Sequence, residues 1–208
     1  LKHDRFVDEV GLMTGRARAN QRGLLGIALG AIAIAVIAYG VYFYRGNEER
    51  KAQAALAAAI ETMESPLIDP SAPTANKDAR YKTEVERTAA ADKQFQAVQS
   101  GWSGTNAADV AGLYLARISS ARGDGATARK HLQKFIDNHP RHLLVGGARY
   151  SLYQMRIGDG DAQQVTTELN AELGKQEPVL PPDAMLVLLA QAYEVQGSTE
   201  KSRDTYRR

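Results

Sequence analysis

The chain has 208 residues, with 26 Lys and Arg against 24 Asp and Glu, and no cysteine. The missing cysteines exclude disulfides, thiolate metal sites and cysteine nucleophiles, and a formal net charge of +2 leaves no basic footprint of the kind nucleic acid requires. Five basic and three acidic side chains fall in residues 1–23, so the rest carries 21 of each sign and is neutral.

The first residue is Leu, not Met, so further N-terminal sequence is expected. Residues 1–23 form a short basic arm. Phe6, Val10 and Met13 fall at i, i+4, i+7, which suits a short amphipathic helix lying on a membrane; a partly ordered tail fits equally, because isolated helices this short are marginal. Residues 15–23 read as a loop.

The next stretch, LLGIALGAIAIAVIAYGVYFY over residues 24–44, holds no charged, Asn, Gln or Pro side chain. As a helix, its 21 residues reach about 30 Å, the thickness of a bilayer's hydrocarbon core. A helix closes its own backbone hydrogen bonds, so such a segment can sit in lipid. A buried core helix is the first alternative, but uninterrupted apolar runs this long are uncommon in soluble cores. A cleaved signal peptide is the second, with Ala31-Ile32-Ala33 as a small-residue cleavage site. The run continues well past that point into Tyr39, Tyr42, Phe43 and Tyr44, so an uncleaved anchor fits better. Those aromatic rings suit an interfacial belt, and Arg16, Arg18 and Arg22 on the N-terminal side place the N-terminus in the cytoplasm. Within the anchor Gly26 and Gly30 form a G-x-x-x-G pair, a spacing that lets a second helix approach closely in lipid.

After the anchor, residues 45–64 predict a juxtamembrane helix of high propensity, with Ala52, Ala55, Leu56, Ala59, Ile60 and Met63 on one face. It stops at Ser65-Pro66, and residues 65–79 are a proline-rich loop. Residues 80–100 are helical again, with Val85, Ala89, Phe95 and Val98 as candidate core. From residue 107 onward the pattern is helix, Gly turn, helix, three times over. Gly123, Gly158 and Gly197 mark the turns, 35 and 39 residues apart. A period in this range, with one helix pair per unit, predicts an α-solenoid.

Particular residues carry a family resemblance. Leu189-Ala190, Tyr193, Gly197, Ser202 and Tyr206 in the last unit, and Leu115-Ala116, Gly123, Ala128, Leu132 and Pro140 in the first, resemble tetratricopeptide repeats (TPR). The middle unit departs: Ala162 is one residue early and Ser151 takes the small position. Ala91, Phe95 and Val98 fit the second helix of an earlier, degenerate unit. The fold class expected is therefore all-α, a single N-terminal transmembrane helix followed by a TPR-like solenoid over residues 80–208. The layout of arm, anchor, Ala-rich helix and repeats resembles the ancillary TPR subunits of the bacterial Sec translocon and its periplasmic chaperone network. That resemblance implies a bacterial inner membrane, an extracytoplasmic repeat domain and no catalytic residues.

No constellation of reactive side chains argues for an enzyme. His131, His139 and His142 lie near a helix end, where histidine suits the macrodipole, and no carboxylate sits at ligand spacing. The Gly123-Asp124-Gly125 and Gly158-Asp159-Gly160-Asp161 stretches lack the further carboxylates of a calcium loop. No cofactor or metal is expected. Solenoids bind through the concave face lined by their first helices, which register places at Leu113 and Arg117, at Leu152, Met155 and Arg156, and at Gln191 and Glu194. These positions serve equally as inter-helix core. Trp102 is either a contact anchor or a ring tucked against its own repeat.

The expected function is a non-enzymatic scaffold whose partners are membrane proteins of a larger complex, with the lipid bilayer holding it in place. The alternative is a chaperone-like binder of extended, unfolded or translocating polypeptides at the membrane. The last helix ends abruptly at residue 208, so either the chain continues or a partner covers Tyr206 and its neighbours.

Overall fold

The computed structural model describes the backbone of residues 5–71 and 76–208 and the side chains of residues 25–71 and 76–208. The described residues form eight α-helices: α1 (Arg5–Glu64), α2 (Glu84–Gly101), α3 (Asn106–Ala121), α4 (Gly125–Asn138), α5 (Val145–Gly158), α6 (Ala162–Leu173), α7 (Pro182–Val195) and α8 (Thr199–Tyr206). No strand occurs among them; a single bridge joins Leu67, in the proline-rich loop, to Tyr81 just after it. The all-α fold with one long apolar N-terminal helix is as expected.

The chain divides into two compact units, Leu1–Glu48 and Glu49–Arg208. In the first, helix α1 runs through residues 15–23, where a loop was expected, and through Gly46 and Asn47 without a break. Arg16, Ala17, Arg18, Ala19, Gln21 and Arg22 are good helix formers, and Gly15, Gly23 and Gly46 stand singly between them. The conjectured side-chain pattern of Phe6, Val10 and Met13 lies outside the described side chains. Residues 25–46 are all exposed.

The second unit is the repeat array. Gly104 (φ 85°) between α2 and α3 has left-handed backbone, and so do the three glycines that turn within the helix pairs, Gly123 (φ 81°), Gly160 (φ 94°) and Gly197 (φ 73°). Gly158, expected to make the middle turn, is instead the last residue of α5. The true turn glycines are spaced by 37 residues twice over. Each closes its helix in the same way. Asp124, Asp161 and Ser198 donate their N–H to the carbonyls of Ser119, Arg156 and Tyr193 at 2.9, 2.9 and 2.8 Å. Gly123, Gly160 and Gly197 donate to Ser120, Ile157 and Glu194. This is the Schellman pairing, which satisfies the helix's last carbonyls and needs a residue at positive φ. The helix pairs α3/α4, α5/α6 and α7/α8 are thus copies of one unit.

Burial follows the same register. Five residues after each turn glycine stand Ala128, Val165 and Ser202, all buried. Three apolar clusters result. Ala59, Ala91, Phe95, Val98, Ala111, Leu115 and Ile118 join α1, α2 and α3, with Leu56, Ile60 and Met63 packed alongside. Ala116, Ala128, Leu132, Phe135 and Ala148 join α3, α4 and α5. Ile157, Val165, Leu169, Met185, Leu188 and Leu189 join α5, α6 and α7. Phe95 stacks on Tyr114 with ring centroids 4.6 Å apart.

Helix α2 starts at Glu84, four residues later than expected, because Thr83 is its N-cap and accepts from Glu86 N–H at 3.2 Å. Val85 therefore sits in the first turn, 79 % exposed, and is not a core residue. The N-terminus of α3 is closed from two directions. Thr105 Oγ1 accepts from Ala108 N–H at 3.1 Å, and the Glu49 carboxylate, from α1, accepts from Asn106 and Ala107 N–H at 2.8 and 3.1 Å. With Thr105 N–H donating to the Trp102 carbonyl at 3.1 Å, all four orphan donors of that helix end are satisfied.

Candidate functional site: the cleft between α3 and α5

Between the first helices of two successive repeats, α3 and α5, lies a cleft of about 740 Å³. One wall is Leu113, Ala116, Arg117 and Ser120 on α3; the other is Gly147, Ser151, Gln154 and Met155 on α5. Leu132 of α4 lies at the bottom and Leu144 stands at the N-terminal end of α5. The lining contains one cation and no carboxylate.

Side-chain size in the repeat register explains why the gap is here. Counting 37 residues forward, Leu113 becomes Tyr150, Ala116 becomes Tyr153 and Ser151 becomes Leu188. At the junction of α5 with α7, Tyr150 and Tyr153 pack against the cluster containing Met185 and Leu188, and the two helices touch directly. At the junction of α3 with α5 the same places hold Ala116 and Ser151, and Gly147 stands one turn before Ser151 on α5, where an added Cβ would meet nothing within 4 Å. The solenoid's filling is interrupted at one step only among these two.

Arg117 forms no hydrogen bond or ion pair with any described residue. Arg156, expected beside it on the concave face, is spent within its own repeat. Its Nε donates to Asp161 at 2.7 Å, and its two terminal nitrogens donate to the Glu168 carboxylate at 2.7 and 2.8 Å. The Glu168 bonds, opposed by burial and helped by Asp161, hold the guanidinium more firmly in its charged form. The structure brings Leu113, Arg117 and Met155 together in the cleft. It places Leu152 against the Phe135 cluster, leaves Gln191 half-buried on α7, and sets Glu194 as acceptor of the Ser202 hydroxyl at 3.2 Å. Trp102 is half-buried against the α1–α3 cluster, the tucked arrangement rather than an exposed anchor. Gly26 and Gly30 lie in the first unit, where a Cβ added at either would meet nothing within 4 Å.

Sequence reasoning missed Leu144, Gly147, Ser151 and Gln154 as lining residues. The signal was present in the register: Gln154 occupies the place of Arg117 and Gln191 in the three repeats, but it is visible only once Gly160 rather than Gly158 sets the count.

One charged cluster holds the α3 wall. Asp109, 7 % exposed, accepts from His139 Nε2 at 2.8 Å, Lys134 Nζ at 3.1 Å and Asn138 Nδ2 at 3.2 Å. Burial pushes its carboxyl up, but these three donors together outweigh burial and hold it below the ordinary range. The partner of His139 is acceptor-only when ionised, so Nε2 carries a proton. Nearby, burial first and then Lys134 and Lys130 push the His131 imidazole down. Among the described residues no group of His, Asp and Glu is arranged to hold a metal ion.

The family described as tetratricopeptide repeat-like domain matches residues 23–178, three quarters of the chain. The chain belongs to this family. The match takes in the apolar run as well as the first two helix pairs. No curated protein and no solved structure matches the chain. A tetratricopeptide repeat-like domain is typically an interaction module for protein partners rather than a catalyst. The N-terminal helix of the chain is long and apolar enough to cross a membrane: mean hydropathy reaches 2.2 with none of that window buried.

Proposed function

We propose that the chain is a non-enzymatic, single-pass scaffold, an accessory subunit of a larger inner-membrane complex, with α1 crossing the bilayer and the repeats engaging neighbours outside the cytoplasm. The observation that carries this reading is the open, carboxylate-free cleft in an array of interaction repeats. In support, residues 24–44 contain no charge, hence no proton relay or ion path, and every described residue among them is exposed. Arg16, Arg18 and Arg22 favour a cytoplasmic N-terminus. Tyr39, Tyr42, Phe43 and Tyr44 are placed for the far interface. Gly26 and Gly30 offer a close-approach stripe for a second transmembrane helix. Tethering raises the local concentration of the cleft near a membrane partner, so a modest contact suffices. The resemblance in layout to ancillary repeat subunits of the bacterial Sec translocon names one class of assembly that this arrangement would serve.

Photo-crosslinking in native membranes tests it. With the crosslinker at Gln154, in the cleft, the expected products are adducts to discrete membrane proteins that also co-purify with the full chain in mild detergent. With the crosslinker at Lys93, on α2 outside the cleft, those adducts are absent. A chain that runs alone in detergent and gives no cleft-specific adduct removes the accessory-subunit reading.

A further inference from the structure

We propose that the cleft between α3 and α5 receives an amphipathic helix of a partner protein, its apolar face inward and one Asp or Glu side chain against Arg117. This rests on the reading of the cleft as the docking surface and names what docks.

Charge fixes the first property of the occupant. Arg117 is without a partner among the described residues and no carboxylate lines the cleft. Arg117 stands exposed at the edge of the cleft, where a second cation meets only repulsion and a carboxylate gains a charge-assisted bond. Shape fixes the second. At the next junction Tyr150 and Tyr153 fill the space that Leu113 and Ala116 leave open here, so the cleft offers a partner's apolar side chains the volume that the next repeat fills with its own.

Backbone accounting decides between a helix and an extended strand. Both walls are α-helices with their N–H and C=O groups bonded internally, and the polar side chains in the lining are few. An extended segment would press unpaired backbone groups against Leu113, Ala116, Gly147 and Met155, and each buried unpaired group is costly. A helix arrives with its backbone satisfied and presents side chains at i, i+3, i+4 and i+7. From Leu144 to Met155 the cleft follows eleven residues of α5, about 16 Å, which accommodates about three helical turns.

The test is a display selection of random peptides about four turns long on the full chain in detergent micelles, followed by anisotropy titration of the enriched peptides. The expected peptides carry Leu, Ile, Phe or Met at helical spacing, one Asp or Glu, and no internal proline. Arg117→Glu is expected to weaken them about tenfold, and changing the peptide's acid to Lys to restore binding. Gly147→Leu, whose side chain enters open space and whose helix propensity exceeds that of Gly, is expected to abolish binding with an unchanged circular dichroism spectrum. Enriched peptides with internal proline or no helical period would mean that the cleft takes extended chains, and overturn the proposal. So would the absence of enrichment, or indifference to Arg117→Glu. If the selection fails while cleft-specific crosslinks to membrane neighbours persist, docking stands and the helical occupant is wrong. Loss of both removes the docking reading itself.

Discussion

Asp109 ties α3 to α4, because it gathers His139, Lys134 and Asn138 from the end of one helix onto the first turn of another. Removing it takes the acceptor from the half-buried His139 and from the exposed Lys134 and Asn138, which can turn to water, at a cost of about 1 kcal/mol. Asp109→Ala is therefore expected to lower the midpoint of urea unfolding at pH 7, read by circular dichroism. The pH dependence has a definite sign. A carboxyl held below its unfolded value contributes stability that is fully present above the unfolded pKa of about 3.9 and is lost as pH falls through the folded value. The native chain should thus lose stability below about pH 4 more steeply than Asp109→Ala does. Equal slopes for the two proteins would show that the carboxylate is not stabilised by its donors. Arg156 gives the opposite lesson at this scale. It was expected on the concave face, but Asp161 and Glu168 hold its guanidinium, whereas Arg117, in an equivalent helix, forms no ion pair with a described residue. Register places both on the concave face; which one keeps its charge unpaired among the described residues depends on acids that lie five and twelve residues further along.

At the scale of the element, the helix pairs were readable because Gly, Asp, Thr and Ser punctuate them. The middle turn shows where such reading fails. Gly158-Asp159-Gly160-Asp161 offers two glycines, each followed by an Asp that can start the next helix, and local chemistry does not choose between them. Equal periodicity does: Gly160 gives 37 residues on both sides, and it moves the small position of that repeat from Ser151 to Tyr153, which is why the second junction is filled and the first is open. The start of α2 was misplaced because Thr83, not the propensity of residues 80–83, sets the first turn. The closure of α3 by Glu49 was not legible at all, since its partners lie 57 and 58 residues away. It is nevertheless testable. A carboxylate on two N-terminal amides combines capping with the helix dipole, so Glu49→Ala should destabilise the second unit by about 1–2 kcal/mol. The Thr105→Ala variant removes a different donor's partner, and the two losses should add in a double variant; strong non-additivity would show that Thr105 and Glu49 compete for the same amides.

Across the whole molecule, the sequence announces an apolar segment followed by neutral helical repeats because both are periodic signals, one of length and one of spacing. The cleft is legible only as a deficit, a place where Ala, Ser and Gly stand in the positions that the next repeat gives to Tyr and Leu. The same arithmetic divides stability along the array. Each buried cluster is shared by neighbouring helices only, from α1–α3 through α3–α5 to α5–α7, so stability is a sum of local terms and not one global quantity. Leu169 is fully buried in the last cluster, against residues of α5 and α7. Leu169→Ala removes about 2–5 kcal/mol of packing there. Read by hydrogen exchange and mass spectrometry, the expected outcome is faster exchange in α5–α8, with α2 and α3 retaining native protection because Phe95, Leu115 and Ile118 pack only against α1–α3. A uniform loss of protection from α2 to α8 would mean that the clusters unfold as one unit. In that event Gly147→Leu, by bridging the gap between α3 and α5, would stabilise the entire array and not its first junction alone.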